Sequence, residues 1–352
     1  MTSRDRIRRM FEHREADRVP LNEGPWGATL ERWRREGLGN GDYIEFFGLD
    51  RIGHVGGNTS PRLPRKTVEE TDEYIVQLTD WGATVKNWKH QASTPEMTDV
   101  TLKTGDDWRK LKPLMAMADD RIDWAKLKAD WARWQAEGAF VFGGGWFGFD
   151  VTHSRMVGTE RTLIALAEDP EWIVDMWRTQ LDLNLAILDR IWDAGYRFDA
   201  LSWPDDMGFK HGQFFSVGMY RELLKPIHRQ AIEWAHRKGI WAYLHSCGDV
   251  HPFIPDLMEM GLDGLNPLEV KAGMDPLAVK REYGDRLLLH GGFNALDWYD
   301  VDKMEATIRR NLPILMQGGG YIFATDHSTP SNVGVEDFRR IVAVVKEVGR
   351  YA

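Results

Sequence analysis

A histidine and the chain's only cysteine stand two residues apart in His245-Ser246-Cys247-Gly248. An apolar run, Ile240 to Leu244, precedes them and reads as a short buried strand. Residues two apart on an extended chain face the same way, so the imidazole and the thiol are offered together. Nitrogen and sulfur donors suit zinc, which in catalytic sites takes three protein ligands and keeps one position open. The third donor must come from elsewhere in the chain. His327 is the first candidate, followed by Asp326, Glu23 and Glu269. The same pair could form a thiolate–imidazolium nucleophile, but no oxyanion hole is visible to complete it, so metal binding ranks higher. A buried cysteine beside a hydrogen-bonded histidine, with no chemistry, is the commonplace alternative.

The elements around this pair predict how it is held. Ser3 to Glu15 is amphipathic at helical spacing, with Ile7, Met10 and Phe11 on one side. Strands are expected at 18–26, 49–55, 139–142, 198–202, 240–244, 262–266, 287–290 and 321–324, most of them separated by helical patterns such as 159–168, 170–194, 218–237 and 335–348. Eight strands alternating with helices predict an α/β fold, a (β/α)8 TIM barrel, in one domain spanning 1–352. Residues 68–90 break the rhythm: two alternating runs flank Asp80-Trp81-Gly82 and predict an inserted β-hairpin. No Gly-x-Gly-x-x-Gly follows an early strand, and Gly143-Gly144-Gly145 lacks the lysine of a phosphate loop.

In such a barrel the C-terminal strand ends converge on one face, and catalysis sits there. That rule gathers Glu23, Trp26, Trp146, Trp203, Asp205, Asp206, His245, Cys247, Glu269, His290, Asn294, Asp326 and His327. Glu23, Asp206, Glu269 and His327 are the candidate proton-transfer groups. Asp206, like Glu23 and Glu269, is also a candidate to complete a metal shell. Trp26, Trp146 and Trp203 would make a stacking slot for a planar ring, with Asp205 and Asn294 as polar contacts to substrate. The ordinary role of an aspartate after a strand is to cap the next helix, and that of a tryptophan is to fill a core.

Bulk composition narrows the function classes. A net charge of -9 and a pI near 5.7 leave no basic excess for nucleic-acid phosphates. A single cysteine rules out an intrachain disulfide framework and fits a reducing compartment. The charged N-terminal stretch is unlike a signal peptide, and no run is long enough to span a bilayer, so a cytoplasmic protein is expected.

Several segments together resemble the uroporphyrinogen decarboxylase superfamily, which includes the zinc-dependent, corrinoid-linked methyltransferases. They are Arg18-Val19-Pro20, Asp205-Asp206-Met207-Gly208, His245-Ser246-Cys247-Gly248, Gly264-Leu265-Asn266-Pro267-Leu268-Glu269, Gly291-Gly292-Phe293-Asn294, and Gly319-Gly320-Tyr321 with Tyr351. The resemblance implies the same barrel. Its decarboxylase branch carries arginines after the first strand to hold a polycarboxylate substrate; here that place reads Asn22-Glu23-Gly24-Pro25-Trp26, with an acid where cations would stand. The methyltransferase branch is nearer in its His-x-Cys-Gly turn, which there supplies two zinc ligands. That branch draws its third ligand from a cysteine near the end of the last strand, where this chain has His327. The resemblance therefore implies a methyltransferase with zinc on His245, Cys247 and His327. It would act between a small organic substrate, a methoxylated aromatic by its tryptophans, and a corrinoid carried by a separate protein. It also hints at a homodimer. A metal-independent decarboxylase or lyase acting on a smaller acid, and a non-catalytic small-molecule-binding subunit, are the alternatives.

Overall fold

A computed structural model describes residues 1–90 and 94–352. Seven parallel strands form one sheet: β1 (Ile52–Val55), β2 (Phe140–Gly144), β3 (Ala200–Pro204), β4 (Trp241–His245), β5 (Gly264–Asn266), β6 (Leu288–His290) and β7 (Tyr321–Ile322). Each pairs with its neighbour in sequence, so the order across the sheet is the order along the chain. Their sequences are nearly continuous apolar runs, as strands covered on both faces require.

The two edges of this sheet are joined by the segment expected to be the first strand. Phe323 donates its N–H to the Pro20 carbonyl at 2.9 Å and Asn22 donates to the Phe323 carbonyl at 3.0 Å, while Asp50 donates to the Leu21 carbonyl at 2.8 Å. The segment forms bridges rather than a ladder, because Pro20 and Pro25 have no N–H to give. Asp50 secures it from the side: its carboxylate accepts from Arg6 Nη1 at 2.5 Å, Arg18 Nη1 at 2.7 Å and the Leu21 amide at 2.8 Å.

Apolar residues divide into two clusters. The larger lies between the sheet and the surrounding helices, among them Pro170–Asp193, which begins with proline at its first position and buries Ile173, Met176, Trp177, Leu181, Leu188 and Ile191. The smaller lies within the ring of strands, where Phe140, Phe142, Tyr243, Leu288 and Ile322 meet Ile7, Met10 and Phe11 of the helix Ser3–Phe11. Phe11 stacks on Phe140 at 5.5 Å and on Trp241 at 4.9 Å. The amphipathic N-terminal helix thus plugs the end of the sheet opposite His245.

The expected hairpin is part of something larger. Tyr74–Leu78 and Ala83–Trp88 pair as predicted, but Lys66–Glu70 and Glu96–Val100 flank them in a four-stranded antiparallel sheet. These outer strands are rich in Lys, Glu, Asp and Thr and mostly exposed, so they carry no apolar alternation to read. Charge on an edge strand discourages further pairing. Among the described residues no helix is long and apolar enough to cross a membrane.

Candidate metal centre and the cavity beside it

The ends of β3, β4 and β5 bring three donors together. His245 is in register with Pro204 on one side and Asn266 on the other. Pairing continues past the strand ends: Asp205 donates its N–H to the His245 carbonyl and Ser246 donates to the Asn266 carbonyl, each at 2.8 Å. Successive side chains then alternate. Asp205 turns away from the cavity toward the surrounding helices and is fully buried, accepting from the Asp150 amide at 2.7 Å and pairing with His228 Nε2 at 2.8 Å. Asp206 turns the other way and accepts the Cys247 amide at 2.7 Å. Glu269 holds the next residue, accepting the Gly248 N–H at 2.6 Å. One ligand atom from each of Asp206, His245 and Cys247 lies within 4.8 Å of the others, the one such group among the described residues.

The fit to a metal can be judged from hydrogens. Asn266 donates its amide N–H to the His290 carbonyl at 3.0 Å, so its amide oxygen faces His245 Nδ1, 2.5 Å away. An oxygen only accepts, so the His245 proton sits on Nδ1 and the lone pair on Nε2 is free. That nitrogen is 3.4 Å from Cys247 Sγ and 3.8 Å from Asp206 Oδ1. Burial raises the Cys247 thiol above its ordinary range, and Asp206 and Glu269 push it further the same way. Left alone the sulfur keeps its proton, and a bound cation is what would release it. Sulfur, imidazole and carboxylate with the histidine tautomer preset match a three-ligand zinc site.

A cavity of about 590 Å³ opens beside the group, lined by Tyr43, His54, Phe142, Trp146, Tyr243 and His290 among others, and reaching His245 and Asn266. Among the described residues no lysine or arginine lines it, and Glu23 is its one carboxylate. Burial holds His290 down to about 3, so it is neutral, with the Tyr243 hydroxyl 2.6 Å from its Nδ1. A smaller cavity of about 170 Å³ adjoins it, sharing Glu23, His245 and His290 and adding Thr325, Asp326 and His327. Glu23 is buried; its Oε2 accepts from the Thr325 amide at 2.7 Å, and the hydroxyls of Thr325 and Thr329 sit against its Oε1. Burial pushes this carboxyl up to about 7.

Several expected site residues lie elsewhere. His327 stands outside the donor group: its Nδ1 accepts the Ser328 amide at 2.9 Å, which places its own proton on Nε2 and makes that atom a donor rather than a ligand. Its ring instead stacks on Trp26 at 5.3 Å beside the smaller cavity. Trp203 is not a cavity wall. It is fully buried, stacked on Phe147, while its neighbours Ser202 and Pro204 face the cavity. Asp205, sealed against His228, cannot reach a substrate, and Asn294 caps a short helical turn through the Leu296 amide. Asp326 accepts from Val270 and Ala295, and Glu269 from Gly248, so both carboxylates order loops. Trp146 does line the larger cavity, with the Arg155 guanidinium 4.2 Å from its ring centre. Sequence reasoning passed over Asn266, whose only signal is an amide at a strand end. It also passed over Asp150, whose carboxyl burial, with Asp206 and Asp205 nearby, pushes up to about 7.

A parallel α/β sheet carrying a metal-capable donor set at its C-terminal strand ends defines the class of protein. Residues 74–348 match the uroporphyrinogen decarboxylase (URO-D) sequence family, and the chain belongs to that family. No curated protein matches the chain. Among solved structures, a methyltransferase from Methanosarcina mazei superposes with a TM-score of 0.65 at 17% identity, covering 99% of each chain. An Escherichia coli 3-keto-D-glucoside 4-epimerase superposes at a TM-score of 0.36 and 12% identity over 71% of this chain and 97% of its own, too loosely to bear on the site.

Proposed function

We propose that this protein is a zinc-activated methyltransferase, moving a methyl group between a small organic substrate and a corrinoid carried by a separate protein. The reading takes the sheet, closed through residues 20–22, as a (β/α)8 barrel whose mouth is the active site. One observation carries it: Asp206, His245 and Cys247 form a three-donor group with a preset histidine tautomer at the wall of an aromatic cavity. The similar structure from Methanosarcina mazei is that of a methyltransferase, which agrees with it. In this reading Asp206 is the third ligand, where His327 was expected. When bound, zinc would supply Lewis-acid polarisation of the heteroatom that carries the methyl group. The protein's own residues do the rest. Trp146, Tyr43 and Tyr243 offer ring faces and edges to a planar substrate, for which a methoxylated aromatic fits. The absence of lysine and arginine from the lining disfavours a polycarboxylate.

Metal content per chain by mass spectrometry tests the donor set. Wild type should hold about one zinc, Cys247→Ala and Asp206→Ala should lose it, and His327→Ala should keep it. Zinc retained by Cys247→Ala, or none taken up by reconstituted wild type, would sink the reading and move the chemistry to metal-free acids. Asn266→Ala should lower zinc affinity roughly 10- to 100-fold without removing a ligand, because His245 loses the partner that fixes its tautomer. Competition against a chromophoric chelator measures this, and an unchanged affinity would mean that Asn266 does not orient the ring.

A further inference from the structure

Thr325 has one hydroxyl hydrogen and two oxygens waiting for it. Its Oγ1 is 2.7 Å from the His327 carbonyl oxygen and also within hydrogen-bonding distance of Glu23 Oε1. A carbonyl can only accept, and among the described residues no other donor reaches this one. Where the hydroxyl hydrogen goes to His327, Thr325 Oγ1 meets Glu23 Oε1 only as an acceptor. The hydrogen between them must then belong to Glu23. The other carboxyl oxygen already has the complementary role, accepting the Thr325 amide. One oxygen donates and the other accepts, the arrangement of a neutral carboxylic acid. The hydroxyl of Thr329, 3.2 Å from Oε1, can serve either state.

The charged and titratable groups around Glu23 favour the same state. Asp326 faces it from the loop after β7, Tyr43 and Tyr321 from two neighbouring elements, and His245, His290 and His327 across the two cavities. Among the described residues no lysine or arginine lines either cavity. Burial, with Asp326 adding to it, brings the carboxyl to about 7.

We propose that Glu23 is held as a neutral acid and is the proton donor to the heteroatom released when the methyl group leaves the substrate. This rests on the methyl-transfer reading above and fixes its direction, from the organic substrate to the acceptor. The bond between methyl carbon and heteroatom breaks, its electron pair staying on the heteroatom. The carbon forms its new bond with an electron pair from the acceptor, a reduced corrinoid nucleophile. The heteroatom takes the Glu23 hydrogen, and the carboxylate recovers a proton from water. A protonated Glu23 makes poor use of the opposite direction, in which a base would be wanted.

Glu23→Gln separates this from a purely structural tie between the loops. The glutamine amide can donate where the acid O–H does and accept where its carbonyl does, so the variant should be at least as stable as wild type near pH 6. It should be the more stable of the two by a margin that grows from about pH 4.5 to about pH 7, where the unfolded carboxyl ionises while the folded one keeps its proton, and that is full at about pH 8. Infrared difference spectra between the two proteins at the lower pH should contain a protonated-carboxyl band belonging to wild type. In activity, kcat should fall by roughly 10²- to 10⁴-fold for a methyl ether with a basic leaving group and far less for one with an acidic leaving group. A carboxylate Glu23 would give no such band and would leave Glu23→Gln destabilised near pH 6, with an amide N–H facing the Thr325 donors; that result overturns the proposal. A uniform loss of kcat across leaving groups overturns the donor role while leaving the protonation state established. The band with no methyl transfer by wild type overturns the methyl-transfer reading itself, and the donor role with it.

Discussion

Gly248→Ala is expected to lower stability by more than about 3 kcal/mol and to abolish zinc binding, although Gly248 supplies no donor atom. Two effects add. Gly248 sits at φ +82, in the left-handed region, where a side chain costs about 1–2 kcal/mol. A Cβ there would also stand 2.1 Å from the Gly208 carbonyl carbon and 2.3 Å from the Phe209 nitrogen. Both obstacles are backbone, so no rotamer change relieves them. The turn after Cys247 and the loop after Asp206 touch main chain to main chain, and this contact sets the approach of Asp206 to the His245–Cys247 pair. Gly273→Ala provides the comparison: φ is +105 there, but a Cβ meets nothing within 4 Å, so only the conformational cost of about 1–2 kcal/mol should appear. Urea denaturation and metal content on both variants decide it. Equal losses in the two would mean that the loop after β3 moves aside and that the main-chain contact does not shape the site.

The same contrast between local and non-local determinants explains what could be read from the sequence. The parallel strands were legible because each is a short apolar run between helical patterns, and a strand buried on both faces needs nothing else. The outer antiparallel strands were not, because Lys66–Glu70 and Glu96–Val100 are held by pairing and have little apolar face of their own. His245 and Cys247 were legible because their spacing of two survives any tertiary arrangement. The third donor was not, since His327 and Asp206 compete on a detail no pattern records: the Ser328 amide occupies His327 Nδ1, while Asp206 is swung onto the Cys247 amide. Asp205 and Asp206 are adjacent in sequence and opposite in fate because an extended chain alternates. Trp203 fails as a substrate contact for the same reason, lying between the inward-facing Ser202 and Pro204. The proton on Glu23 was the least legible of all. It follows from a threonine hydroxyl and a carbonyl brought together some three hundred positions away.

Asp50→Ala should lower stability by about 3–5 kcal/mol, the loss found when one member of a buried ionic cluster is removed and its partners stay behind. Asp50 is fully buried, and its two oxygens serve Arg6, Arg18 and the Leu21 amide. Arg6 retains Asp17, at 2.7 Å, but is itself only 6% exposed and cannot turn to water. Arg18 is left with a carbonyl alone, and the Leu21 amide with nothing. Those three partners belong to the N-terminal helix and to the segment that joins β1 to β7, so the carboxylate ties the plug of the sheet to its closure. Against a total of about 5–15 kcal/mol for an ordinary domain, the loss is a large fraction. Urea denaturation followed by tryptophan fluorescence is well suited, with sixteen tryptophans in the chain. The functional consequence should be selective. Residues 22–26 continue directly from the tied segment and carry Glu23 and Trp26, so the variant should lose its grip on the Glu23–Thr325 pairing before it loses zinc, whose donors all lie on the far side of the ring between β3 and β5. A stability change under about 1 kcal/mol would show that Asp17 and water replace Asp50, and zinc lost ahead of the Glu23 signal would show that the donor set depends on closure of the sheet.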